Sequence, residues 1–486
     1  ILTPPPGAVK IMQDPSIFVG EGLPVAFSSI SFLFYFLPLF FIIHYLIPAR
    51  AKNVVLLAGS LFFYAWGEPR WILLLLASIL VTWLLGRAMR PEASAGRRRG
   101  LLILGLVFQL GLLVAVKYAG FFFGAFIDLP KLHLPLGVSF YTFHAISYLV
   151  DVYRQKTPPQ KNLLRLGLYL ALFPKLVMGP IVPYHELEPA LAQRTIDAQD
   201  VSDGCFRFTI GLAKKALLAD ALAGLVTGIW GDLASLTVLS AWLGLIGYAL
   251  QLYFDFSGYS DMAIGLGRML GFRFPENFRY PYLCSSISDF WRRWHISLGS
   301  WFKEYLYFPL GGSRTGTLRT LRNLLLVWLA TGLWHGASWN YVLWGLYFGV
   351  LICLEKLLAP RFRAHPRKGL LAGLYRPVCL LLAVLGWVLF RAEDLPAAGR
   401  YFACLFGGAA GASAQARLYL HDFWPVLLLG AVGATPLCAK LAGRLGAKLQ
   451  PGVRAALQAV LVLALLACST VWLLNGSFQS FVYFQF

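Results

Sequence analysis

Long apolar runs recur along almost the whole chain, and nothing constrains its fold more. FLFYFLPLFFIIHYLI (32–47), WILLLLASILVTWLL (71–85) and ALQAVLVLALLACSTVWLL (456–474) approach or reach membrane-spanning length, for which ~20 mostly apolar residues suffice. One such run would give one span. Repetition from end to end predicts an all-α polytopic membrane protein, with about eleven transmembrane helices plus re-entrant and interfacial amphipathic helices. Composition agrees: the chain is 58% hydrophobic and 13% charged, against about half and about a quarter in soluble domains.

The net charge of +20 would suggest nucleic acid in a soluble protein. Here the basic residues sit in short loops between apolar runs, as in RAMRPEASAGRRRG (87–100) and RFRAHPRK (361–368). The positive-inside bias places such loops in the cytoplasm, and anionic lipid is their natural neighbour. No nucleic-acid partner is expected. The seven cysteines are scattered, mostly in apolar runs, and no pair has metal-ligand spacing. They read as small buried hydrophobes, with no metal site. Residues 1–24 are Pro- and Gly-rich and lack a basic segment leading into an apolar core. They read as a mobile extension without a cleavable signal, with Met12 a candidate natural start. Residues 25–486 form one transmembrane domain, with its chemistry expected in about 134–358.

Two stretches are too interrupted for plain spans. LPLGVSFYTFHAISYLVDVYR (134–154) opens on Pro135 and Gly137, and LYLALFPKLVMGPIVPYHEL (168–187) is broken by Pro174, Gly179, Pro180 and Pro183. Broken helices fit, and they survive at membrane depth only where protein or a watery cavity satisfies the freed backbone. Lys117 lies inside the fourth apolar run. It either snorkels to an interface, the expectation favoured here, or is buried and paired.

Ionisable chemistry concentrates in FWRRWHISLGSWFKEYLYFPLGG (290–312). On a helix at 100° per residue, Trp291, Trp294, Leu298, Trp301 and Tyr305 form one stripe, while Arg292, Arg293, Lys303 and Glu304 fall away from it. That is an amphipathic interfacial helix, with Asp289 placed to pair with Arg292 and Arg293. His295 falls at the edge of the apolar stripe and is aimed inward. A second histidine, His335, ends the apolar helix of LLLVWLATGLWHGASWNYVLWG, preceded by Trp334 and followed by Gly336 and Asn340. A neutral imidazole in an apolar pocket can accept a proton at pH 7, as a general base must. Thr331, one turn back, is placed to bond its ring. The plain alternative for each histidine is a satisfied core or helix-end residue. A third cluster, Asp255, Ser257, Asp261, Glu276 and Asn277, either lines a polar cavity or pairs with Arg268, Arg273 and Arg279 as scaffold. No nucleophile elbow, phosphate loop, dinucleotide fingerprint or zinc-protease motif is present, so hydrolase, ATPase and metalloprotease readings have no support.

FWRRWHISLGSWFKEYLYFPLGG followed by TGLWHGASWNYVLWG resembles the membrane-bound O-acyltransferase family, in its bacterial alginate O-acetyltransferase branch. VAFSSISFLFYFLPLF, PLGVSFYTFHAISYLVDVYR, LFPKLVMGPIVPYHEL, DFSGYSDMAIGLGRMLGFRFPENF and the terminal FVYFQF are similar too. The resemblance implies an active-site pair, His335 as general base and His295 orienting the donor or stabilising the developing oxyanion. It implies an acetyl thioester such as acetyl-CoA as donor substrate, with no bound cofactor. Arg292, Arg293, Lys303, Arg314 and Arg319 fit a cytoplasmic patch for the donor's phosphates, or simply positive-inside topology. Asp255, Ser257, Asp261, Asn277, Trp334 and Asn340 are candidate cavity-lining residues. The implied setting is the bacterial cytoplasmic (inner) membrane, where acetyl crosses to a periplasmic SGNH-type acetylase that modifies an exported polysaccharide. The same chemistry on peptidoglycan, cellulose or another cell-wall polymer is a sibling reading. A polysaccharide or lipid transporter, to which broken helices also suit, is the reading from another class.

Overall fold

A computed structural model describes residues 26–123, 134–314, 316–364 and 370–475. The N-terminal extension, the second half of the basic loop at 361–368 and the terminal FVYFQF lie outside the described residues. Every regular element among them is helical. A π-helical turn, Phe32–Phe36, leads into α1 (Leu37–Leu46), followed by α2 (Lys52–Gly67), α3 (Ile72–Ala88) and α4 (Ala95–Leu113). A second π-helical segment, Val114–Tyr118, carries α4 on to Phe123. Next come α5 (Val138–Tyr153), α6 (Leu163–Ala171), α7 (Phe173–Leu176), α8 (Tyr184–Ala192), α9 (Ala198–Ala213), α10 (Asp220–Trp230) and the long α11 (Val238–Met269). The short α12 (Ile287–Trp291) and α13 (Ile296–Phe302) precede a hairpin of α14 (Thr317–His335) and α15 (Trp339–Ala364). The chain closes with α16 (Leu370–Arg391), α17 (Leu395–Leu405), α18 (Ala414–Gly433), α19 (Leu437–Gly446) and α20 (Pro451–Asn475).

Among the described residues, five helices are long and apolar enough to cross a membrane alone, and six if α18 and α19, bent by 66°, form one broken span. About eleven crossings are expected from hydropathy. The difference has a physical source. Several apolar runs are short helices, such as Phe32–Leu46 and Ile72–Ala88, and others are interrupted by Pro and Gly, so their continuity as spans depends on their neighbours.

The centre of the fold is α11, packed against α9 and α10. Contact between α9 and α11 is close because glycines face each other. A Cβ on Gly265 would lie 2.5 Å from the Gly204 carbonyl, and one on Gly211 would lie 2.5 Å from that of Gly258. Small residues that let backbones meet are the usual means of helix association in lipid. The broken α6–α7–α8 stretch meets α11 through α7 and packs on α5, of whose residues only Val150 and Tyr153 are not buried. The backbone freed by the breaks is satisfied by side chains: Ile181 N–H donates to Ser297 Oγ at 3.0 Å and Val182 N–H to His144 Nε2 at 3.3 Å. Tyr169 Oη donates to the Val182 carbonyl at 3.0 Å. The irregular backbone therefore lies inside protein, the condition under which it is tolerated at membrane depth.

Candidate functional site

The segment carrying His295 departs from the continuous helix that its stripe predicts. α12 stops at Trp291, and His295 takes a left-handed conformation, φ 47° and ψ 53°, before α13 begins. Such a backbone is uncommon away from glycine and costs on the order of 1–3 kcal/mol unless its surroundings impose it. Here a neighbouring loop imposes it. Arg279 N–H donates to the Arg293 carbonyl at 3.0 Å, and Ile296 N–H donates to the Asn277 carbonyl at 3.0 Å. The apolar stripe survives the break: Trp294, Leu298, Trp301 and Tyr305 are buried, and Trp291 is partly so.

The His295 side chain is 2% exposed, and its Nδ1 lies 3.2 Å from Asn277 Oδ1. That oxygen also accepts from Ser297 N–H at 3.2 Å and from Ser297 Oγ at 3.0 Å, while Asn277 Nδ2 donates to Ser260 Oγ at 3.1 Å. Phe256 meets the ring edge-on at 4.7 Å.

His335 arrives from a different element. It ends α14, where Gly336 adopts an extended backbone that breaks the helix. The α14–α15 turn is tight because Gly332 packs on the Tyr341 carbonyl and Gly345 on that of Trp328, where a Cβ would collide. The His335 side chain is 3% exposed and packs on Trp334 and Trp344, each at 4.9 Å, and on Phe390 at 5.3 Å. Trp334 is the shared wall, its ring centroid also 6.1 Å from that of His295. Phe143, stacked on Trp301 at 3.8 Å, also packs on Trp334 at 5.5 Å. Two histidines forty positions apart thus face one buried indole. Thr331 does not reach for the ring through its hydroxyl hydrogen; it donates to the Val327 carbonyl at 2.8 Å.

The end of α14 is held by α4. Lys117 Nζ donates to the Trp334 carbonyl at 2.7 Å and the His335 carbonyl at 3.3 Å, and Tyr118 Oη donates to the Leu333 carbonyl at 2.5 Å. The last carbonyls of a helix have no partner within it, and a cation suits their negative dipole end. Lys117 does not snorkel as expected. Its reach is spent on another helix, and a single apolar run with one lysine gives no sign of that partner.

The remaining predicted residues divide into three groups. Asn277 and Trp334 belong to the histidine environment. Asn340, at the start of α15, donates to the Ala392 carbonyl at 2.6 Å, and Ser257 is buried on α11. The carboxylates Asp255 and Asp261 are in ion pairs, but with cations other than those expected. Asp261 meets Arg207 at 2.6 Å and Lys214 at 2.6 Å, Glu276 meets Arg207 at 2.6 Å, and Asp255 meets Lys215 at 2.8 Å. Lys215 also pairs with Asp220 at 2.7 Å. Arg268 and Arg273 turn instead to Asp200, at 3.3 and 2.5 Å. The cations come from α9 and the π-helical turn after it, beyond the local spacing that sequence can read. A cavity of about 370 Å³ opens among Asp203, Arg207, Arg268, Arg273, Phe274 and Glu276; its arginines are already paired, and neither histidine lines it.

The proposed phosphate-binding residues are surface groups. Arg292, Lys303, Arg314 and Arg319 are exposed, and Arg293 is joined to Asp289 at 3.0 Å, with Arg292 at 3.8 Å from the same carboxylate. Sequence reasoning missed the neighbouring Glu304 clamp, in which Arg154 at 2.9 Å and Lys156 at 2.7 Å tie the end of α5 to the π-helical segment Lys303–Tyr307. It also missed Asp151, which binds His185 at 2.7 Å and accepts from Tyr305 Oη at 3.0 Å.

Comparison with known proteins places this chain among acyl-transferring enzymes. The profile described as "MBOAT, membrane-bound O-acyltransferase family" matches residues 152–383. The chain is 43% identical over 396 residues to a Pseudomonas aeruginosa protein named "Probable alginate O-acetylase", covering 79% of this chain and 75% of the relative. It is 36% identical over 413 residues to a peptidoglycan O-acetyltransferase of Helicobacter pylori, covering 76% and 78%. A teichoic acid D-alanyltransferase of Bacillus subtilis is 29% identical over 249 residues, covering 47% and 62%.

Proposed function

Because this chain belongs to the membrane-bound O-acyltransferase family, and is a multi-pass membrane acyltransferase, we propose that it carries acetyl from a cytoplasmic thioester, of the acetyl-CoA type, across the bacterial cytoplasmic membrane. A periplasmic SGNH-type acetylase receives the group and places it on hydroxyls of an exported, alginate-like polysaccharide. The observation that carries this reading is that His295 and His335, both buried within the helical body, pack against the same indole, that of Trp334.

In the proposed step, neutral His335 takes the proton of the accepting hydroxyl as its oxygen attacks the thioester carbonyl. The tetrahedral intermediate collapses, the C–S bond breaks, and the departing thiolate receives the proton from the imidazolium. General bases of this kind contribute roughly 10²–10⁴-fold. Lys117 and Tyr118 keep the His335 backbone in place, and Trp334 and Phe143 exclude water. Surface cations of the His295 segment, Arg292, Lys303, Arg314 and Arg319, offer charge to the donor's phosphates. Alginate is favoured as acceptor by the 43% relative, with peptidoglycan the alternative that the Helicobacter relative supports.

The test is reconstitution in vesicles with radiolabelled acetyl-CoA, the partner acetylase and each polymer in turn. Label should reach the partner or polymer, and His335→Ala should abolish this while membrane insertion persists. Full activity in that variant would remove the general-base assignment. Polymer movement without label transfer would favour transport instead.

A further inference from the structure

The hydrogen bonds around Asn277 fix the chemical form of His295. A backbone N–H can only donate, so the Asn277 atom facing Ser297 N–H is its oxygen; the amide nitrogen correspondingly faces Ser260 Oγ at 3.1 Å. The oxygen then faces His295 Nδ1 at 3.2 Å. A carbonyl oxygen accepts only, so Nδ1 bears the hydrogen and the neutral ring presents a lone pair at Nε2. That Nε2 is buried and has no hydrogen-bond partner among the described residues. Buried polar atoms nearly always have partners, and an exception calls for a ligand or water.

An oxyanion needs a donor, and neutral His295 in this tautomer offers none at Nε2. The orienting role is the one that its lone pair can fill. We infer that Asn277 is a positioning residue that locks His295 in the Nδ1–H tautomer, so that Nε2 accepts a hydrogen bond from the amide N–H beside the thioester of a pantetheine-type donor. This inference rests on the acyl-transfer reading above, in which His335 is occupied with the accepting hydroxyl. The amide N–H nearest the sulfur is then the substrate donor left to pair. The lock costs strain at the left-handed His295 backbone, and Asn277 offsets it twice: its own carbonyl holds Ile296 N–H and its side chain holds Ser297.

The experiment compares two small acetyl thioesters, S-acetyl-N-acetylcysteamine and its isostere with an ester oxygen in place of the amide N–H. Each is used with the reconstituted full chain and acetylase, as acetyl donor or as competitor of labelled acetyl-CoA. The wild type should prefer the amide compound about tenfold, the scale of one buried hydrogen bond gained or left unmade. His295→Ala and Asn277→Leu should bring the ratio to near one, and Asn277→Asp, which keeps an accepting oxygen at Nδ1, should restore it. A ratio between two ligands is independent of the fraction of protein that folds, so a merely structural loss would not move it. A ratio near one in the wild type, a ratio unchanged in His295→Ala, or failure of both compounds to react or compete overturns the inference. Loss of the acyl-transfer reading itself shows separately, as full label transfer from acetyl-CoA by His335→Ala or none by the wild type.

Discussion

α11 and α20 are both long apolar helices, yet 78% of the most apolar stretch of α11 is buried inside the protein and only 6% of that of α20. The buried helix is the more polar one. α11 carries Asp255, Ser257, Ser260 and Asp261, each buried, with the carboxylates matched by Lys215, Arg207 and Lys214. α20 has Arg454 and otherwise turns leucine and valine outwards. In water the most apolar segment seeks the core; in lipid the apolar segment is at home on the surface, and the polar one must be enclosed by partners. Chemistry should therefore be sought in the helices with weaker hydropathy, and both histidine-bearing segments pack around that central region.

The contrast breaks most visibly at the glycine contacts of α11. Gly265→Leu puts a side chain where a Cβ alone would lie 2.5 Å from the Gly204 carbonyl. Overpacking costs typically 1–3 kcal/mol or more, and two backbones cannot yield as side chains do. We expect loss of folded protein, read as loss of a monodisperse peak in detergent. Next in size is the clamp on α14. Lys117→Met leaves the Trp334 and His335 carbonyls without their donor, and kcat for acetyl transfer should fall roughly 10–100-fold with insertion intact, in keeping with 1–3 kcal/mol for unsatisfied buried groups. Gln109→Leu, on the same helix but bonded to Thr82 and Ser78, serves as the control, lowering thermal stability without that kcat effect.

A smaller effect concerns pH at the membrane surface. The Glu304 carboxyl is held below its ordinary value, first by the hydrogen bond from Lys156 and then by the charges of Lys156 and Arg154, against opposing burial. A carboxylate with a depressed folded-state pKa adds stability above its unfolded value and loses it as pH falls through the folded one. The melting temperature should therefore drop on acidification below the usual carboxylate range, and Glu304→Gln should flatten that slope. Both partners are partly exposed, so the effect is modest and weakens with salt. Smallest of all is Leu463→Ala on α20. Leu463 is 66% exposed, and its removal should leave activity unchanged and stability within about 0.5 kcal/mol. A large loss there would mean that the Leu463 face of α20, and not only the face that meets α9, packs against protein.

Part of the candidate site was legible in the sequence, although residue type left each histidine open to a plain core reading and the family resemblance alone joined them as a pair. His295 and His335 stand out because ionisable groups are scarce in so apolar a chain, and the Asp289–Arg293 pair follows from helical spacing alone. The helix through His295 was misread because its stripe is perfect on paper, while the loop at Asn277 and Arg279 that breaks it lies outside any local window. Lys117 was misread for the same reason: its partners are more than two hundred positions away. The cations matched to Asp255 and Asp261 come from α9 and its π-helical extension, so scaffold pairing was foreseeable but its partners were not.

By itself the sequence determined the class of solvent, since apolar runs of spanning length have no other use, and it determined the chemical repertoire, two imidazoles and a crowd of indoles. Only the tertiary structure decided that both imidazoles pack on one indole, which side chain meets each ring nitrogen, and which cation meets which carboxylate. The reason is physical: partition into lipid sums over residues one at a time, whereas a hydrogen bond depends on the position of a second group that the chain delivers from elsewhere.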